Sequence, residues 1–196
     1  MKTLTRSILL IFVLMLLPGC AITHKYGPYM GKVVDKETGE PIAGAVVFIQ
    51  FYTEGGLSPG GAVGHYADAA ETLTNEKGEY YLPPVRIVTF RIGDNWNNRV
   101  YSIIFKPGYG AYPGHPGSSD GRDPMGWLRE GVPDTIQLPK LKTSGERGKN
   151  AGDGLSFNRS RVPYEKYELL FGAVNEERIF VGSKPLPDPR QFPWSK

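Results

Sequence analysis

Apolar positions repeat every second residue, in short runs, from about residue 30 to residue 139, and then change period. Met30-Gly-Lys-Val-Val-Asp35, Val46-Val-Phe-Ile-Gln-Phe-Tyr52, His65 to Thr74, Glu79-Tyr-Tyr-Leu82, Val85 to Ile92, Val100 to Phe105 and Thr135-Ile-Gln-Leu138 are rich in β-branched and aromatic residues. Such runs fit a pleated, half-buried surface and predict seven strands. Turn residues punctuate them. Asp35 and Gly39 bracket one tight turn, and Asn75-Glu-Lys-Gly78 another. Asp and Asn bond their own backbone two residues on, and Gly tolerates positive φ. Pro83-Pro84 ends the hairpin over 65–82, while 53–64, 93–98 and 106–130 are Gly-, Pro- and Asn-rich and are expected to be loops. Seven short strands with turns between them predict an all-β sandwich over residues 30–139.

Past Leu138 the pattern differs. Residues 140–162 are charged and glycine-rich, which predicts a solvated linker. From 163 to 182 the apolar residues Tyr167, Leu170, Phe171, Val174 and Val181 recur at helical spacing. Pro163 suits the first turn, Glu165 and Glu168 the N-terminal end, and Gly182 the stop. A lone helix of this length is marginal in water, so this C-terminal amphipathic helix must dock. Residues 183–196 carry four prolines and predict an extended tail.

The N-terminus is a separate unit. Lys2 and Arg6 precede an unbroken apolar stretch from Ile8 to Leu17, followed by Pro18, Gly19 and Cys20, the sole cysteine. This is the layout of a signal peptide over residues 1–19. The stretch is ten residues long, about half of what a membrane-spanning helix needs. Residues 20–29 are then a short polar tether. The Leu-x-Gly-Cys ending resembles the lipobox of bacterial lipoproteins, with Pro18 where that family has a small or β-branched residue. The resemblance implies cleavage before Cys20, a lipid on its sulfur, and membrane attachment at the cell envelope. Ala21, rather than Asp, resembles the outer-membrane sorting signal of Gram-negative lipoproteins.

Composition narrows the rest. Removing the leader leaves 21 basic against 20 acidic residues, so the overall charge makes no case for nucleic acid. With one cysteine no intramolecular disulfide can form. Gly and Pro together make up 42 of the 196 residues, as in chains of many short strands.

Candidate chemistry is sparse. Gly56-Leu-Ser58-Pro-Gly60 matches a nucleophile elbow in letters, but no strand-turn-helix surrounds it. His24, His65 and His115 have no metal-ligand spacing. Asp35, Glu37 and Glu40, and Asn75, Glu76 and Glu79, lack the register of a calcium loop. Trp96, Tyr109, Tyr112 and Trp127 lie in loops and are the candidate ligand or partner contacts, suited to stacking on sugars or anchoring a protein.

Three blocks carry a further resemblance. Gly31-Lys-Val-Val-Asp35 with Thr38-Gly-Glu-Pro-Ile-Ala-Gly-Ala45, then Glu71-Thr-Leu-Thr74 through Gly78-Glu-Tyr80, then Ile104-Phe-Lys-Pro-Gly-Tyr109, resemble the carboxypeptidase regulatory-like (transthyretin-like) domain family. That likeness implies a seven-stranded transthyretin-like sandwich and a non-catalytic module. The expectation is therefore a lipid-anchored, non-enzymatic envelope protein, structural or protein-interacting, with no metal or cofactor. The alternative is a carbohydrate-binding envelope lipoprotein that uses the loop aromatics.

Overall fold

A computed structural model describes residues 23–58, 61–91, 93–122, 127–152 and 162–191. The leader, Cys20, Phe192 and Trp194 lie outside them. The described chain is mostly β. Nine strands are present: β1 (Thr23–Tyr26), β2 (Tyr29–Asp35), β3 (Val46–Ser58), β4 (Gly61–Leu73), β5 (Glu79–Leu82), β6 (Val85–Val88), β7 (Asn95–Trp96), β8 (Tyr101–Phe105) and β9 (Asp134–Leu138). Two helices follow among the described residues, α1 (Ser144–Gly152) and α2 (Glu168–Phe180). No helix among the described residues is long and apolar enough to cross a membrane.

One sheet has the order β5-β2-β9, with β9 parallel to β2. In the second, β3 is the spine. β4 pairs along one edge of β3, and β8 and then β7 share the other. A two-stranded ribbon, β1-β6, stands apart. Val33, Tyr80, Ile136 and Leu138 of the first sheet share one core with Val47, Ile49, Phe51 and Ile104 of the second. The other face of the second sheet is apolar too. Val46, Phe48, Ile103 and Phe105 point there and meet Tyr167, Leu170, Phe171 and Val174 of the C-terminal segment. Burial on both faces is why β3 reads as a nearly continuous apolar run.

Close backbone approaches account for two glycines. A Cβ on Gly31 would collide with the backbone of Asp134 on the neighbouring strand. Gly78 has φ +72°, and a Cβ there would sit 2.5 Å from the Val33 carbonyl.

The structure departs from the sequence expectation at five places. Nine strands replace seven. β1 lies in the segment expected to be tether, held by Tyr26, which is fully buried, and β7 lies in an expected loop. Residues 53–58 and 61–64 belong to β3 and β4, because the cross-strand ladder satisfies their backbone despite the glycines. The stretch expected to be linker contains α1, whose Asn150 and Ala151 are buried. The described part of the tail folds back on α2. The Leu186 N–H donates to Asn175 Oδ1 at 2.7 Å, and the Arg190 guanidinium lies 4.9 Å from the Tyr164 ring centroid.

The buried stripe of α2 ends in a charge. Glu177 occupies the next inward position after Val174 and is wholly inaccessible to solvent. Arg147 of α1 donates to both its oxygens, at 2.8 and 2.5 Å, and the Gly108 N–H donates to Oε2 at 3.1 Å. Removing one partner of a buried pair strands the other charge. Glu177→Ala should therefore lose about 3–5 kcal/mol of stability in denaturant unfolding. The double change Glu177→Leu with Arg147→Met should recover most of that loss, and equal losses in the single and double variants would contradict this account.

Candidate functional site

The four loop aromatics do not converge. Trp96 lies opposite Thr53 on β3, whereas Tyr112 bridges to Ile104, which faces Val47. Thr53 is six residue steps along β3 from Val47, about 20 Å at about 3.3 Å per step. Tyr112 is 2% exposed and belongs to the core, so it is not a surface contact. Its backbone pairs with Ile104 in both directions, and this draws the ring inward. Tyr109 is half-buried and hydrogen-bonds Asp35, and burial raises its phenol above the ordinary range. Asn150 of α1 clamps this loop by accepting from the Ala111 N–H at 2.8 Å and donating to the Tyr109 carbonyl at 3.0 Å. Trp96 stacks on His24 at 5.3 Å and meets Tyr26 edge-on at 6.0 Å. Arg99, three residues beyond Trp96, lies 3.9 Å from the Trp127 ring centroid. Trp96 and Trp127, both partly exposed, are therefore brought towards one end, and Tyr109 and Tyr112 are held at the other.

The most organised polar group is at the Trp96 end. His65, Thr53 and Trp96 face one another across β4, β3 and β7. Asp94 reaches over Gly55, where a Cβ would collide with its carboxylate. Its Oδ2 accepts from the Thr53 hydroxyl at 2.6 Å and from His65 Nδ1 at 2.8 Å. The Thr53 hydroxyl does most to hold Asp94 below the ordinary carboxylate range, burial opposes it, and His65 adds to it. An ionised carboxylate only accepts, so Nδ1 carries the hydrogen of this bond. The His65 side chain is 39% exposed. Among the described residues no hydroxyl is hydrogen-bonded to the His65 ring. A nucleophile must bond the histidine nitrogen that the carboxylate leaves free. The Thr53 hydroxyl instead donates to the same carboxylate oxygen. The group ties the β3–β4 hairpin to the 93–97 loop. Ser58 ends β3 opposite Gly61, in a hairpin and not in a strand-turn-helix.

A second charged group closes the opposite sheet. Asp134 is buried and accepts from Arg122 and Arg129. Burial raises its carboxyl, and Arg122 opposes that. Beside it, Lys32, Glu79, Tyr81 and Thr135 line an open depression of about 450 Å³. Among the described residues no cluster of three or more His, Cys, Asp or Glu could hold a metal ion. Asp94, Asp134 and Glu177 were not among the residues that the sequence singled out. Two of them left a trace, since Asp134 and Glu177 fall at inward positions of an otherwise apolar strand and helix. Asp94, in a loop, left none.

His115 has a structural part. Its Nδ1 accepts from the Gly117 N–H at 3.0 Å, and its ring packs against Gly110. Comparison with family models, with curated proteins and with solved structures returned no match.

Burial lowers the His115 imidazole below its ordinary value, Glu146 opposes this and Lys36 reinforces it. A depressed folded value favours the neutral ring. Its contribution is whole above about pH 6.5 and is lost as pH falls through the lower folded value. Urea unfolding should show the wild type losing more stability between neutral and mildly acid pH than His115→Asn, whose Oδ1 accepts without titrating. Parallel losses would rule this out.

Proposed function

We propose that this chain is a lipid-anchored, non-catalytic module of the bacterial cell envelope, built as a transthyretin-like β-sandwich, with a structural or protein-interaction role. The observation that carries the reading is Cys20, set directly after Leu17-Pro18-Gly19 at the end of an apolar run and only three residues before β1. The core shared between two sheets supports the sandwich, as do the three sequence blocks quoted above. The use of side chains supports a non-catalytic role. Asp94, Asp134 and Glu177 each hold a loop or a helix in place, and Tyr112 fills the core.

A narrower glycan-binding reading draws on Trp96 and Trp127, two partly exposed tryptophans at one end. It requires Trp96→Ala to weaken retention on a glycan affinity gel, and equal retention would remove it.

The anchor is tested by Cys20→Ala. The variant should move from the membrane fraction to the soluble fraction, and the wild type should carry acyl mass at Cys20 by mass spectrometry. A variant that still sediments entirely with membranes would overturn the proposal.

A further inference from the structure

The β1-β6 ribbon has an outward face with an unusual make-up. Antiparallel pairing sets Thr23 opposite Val88 and Lys25 opposite Arg86. Positions two apart share a face, so all four project together, while His24, Tyr26 and Ile87 turn inward. All four outward residues are exposed. Like charges directly opposite on a strand pair repel. Neither Lys25 nor Arg86 has a carboxylate partner within 4.0 Å among the described residues to relieve the repulsion. On the same face Val88, and two residues past the end of β6 Phe90, each leave 66% of their surface in water. Two unneutralised cations beside two bare apolar side chains suit a surface that is anionic above and apolar below.

Chain length brings such a surface within reach. Only Ala21 and Ile22 separate Cys20 from Thr23, and three residue steps span at most about 10 Å. Resting on the lipid anchor proposed above, we propose that the outward face of the β1-β6 ribbon lies on the anionic lipid bilayer that holds the Cys20 lipid. Lys25 and Arg86 meet the headgroups, and Val88 and Phe90 enter the interface. Basic residues close to anionic lipid and apolar side chains buried at the headgroup boundary both add to attachment.

The test uses the full lipidated chain in vesicles of phosphatidylethanolamine and phosphatidylglycerol. Acylation of Cys20 leaves an introduced cysteine as the single free thiol. An environment-sensitive nitrobenzoxadiazole is placed in turn at Val88→Cys, Phe90→Cys and Lys149→Cys. Lys149 is exposed on α1, next to Asn150, which clamps the Tyr109–Tyr112 loop at the far end. The probes at 88 and 90 should shift to the blue and be quenched by brominated lipid, and the probe at 149 should do neither. Adding Lys25→Gln and Arg86→Gln should abolish the shift while the protein still sediments with the vesicles through its lipid. Aqueous emission at 88 and 90 in an acylated, sedimenting protein overturns the docking alone. Absence of acyl mass at Cys20 overturns the anchor and the docking together.

Discussion

The strand pair β3–β8 is apolar on both faces, and most of the remaining structure follows from that constraint. Strand geometry sends alternate side chains to opposite sides. Val47, Ile49 and Ile104 therefore enter the core between the sheets, and Val46, Phe48, Ile103 and Phe105 are left on the other side. Exposing four such side chains would cost about 1.5–3 kcal/mol each. A chain that stopped at β9 would leave that patch in water. The segment from Val162 to Leu186 covers it, with Tyr167, Leu170, Phe171 and Val174 making the contact.

Covering the patch creates the next requirement. The same stripe of α2 that carries Leu170 and Val174 carries Glu177 beneath the 106–112 loop. A carboxylate there must find donors, and Arg147 with the Gly108 N–H supplies them. Arg147 is held by α1, and Asn150 on the same helix fastens Tyr109 and Ala111. Apolar contacts tolerate small slides of a helix along a sheet, whereas a fully bonded buried pair is satisfied at one register only. The charge therefore locates α2, and α1 exists to serve both the charge and the loop. The Glu71 carboxylate on β4 acts in the same sense, accepting from the Leu169 and Leu170 N–H groups in the first turn of α2 at 2.7 and 3.0 Å.

What can be read from sequence follows from what holds each element. β2 to β6, β8 and β9 are visible because side-chain burial forms them, and burial leaves a periodic trace. β1 and β7 leave little, being two to four residues long with one or two inward rings each. The glycine-rich arm of β3–β4 is held by backbone bonds, which no side-chain pattern reports. α1 is polar in composition because its work is polar, done by Arg147 and Asn150. The site shows the same division. Trp96 and Tyr112 draw attention as loop aromatics, yet loop composition does not disclose that one ends half-exposed beside His24 and the other inside the core. The Asp94 group joins residues from three separate segments, and no local spacing connects them.

β1 also changes what an anchor at Cys20 would do. A ten-residue polar tether would let the domain tumble over the membrane, since a flexible segment of that length decouples its ends. Tyr26 prevents such a tether. Its ring stacks on Phe51 at 4.7 Å, its hydroxyl donates to the Asn97 carbonyl at 2.7 Å, and burial raises its phenol well above the ordinary range. The chain is thus tied into the core six residues after Cys20. Any force applied at a lipid there reaches the spine of the second sheet through one aromatic side chain and the β1-β6 ladder. An anchor so close to the core constrains which side of the domain faces the bilayer. An anchor there would hold α1 and the clamped Tyr109–Tyr112 loop, at the opposite end, away from a bilayer.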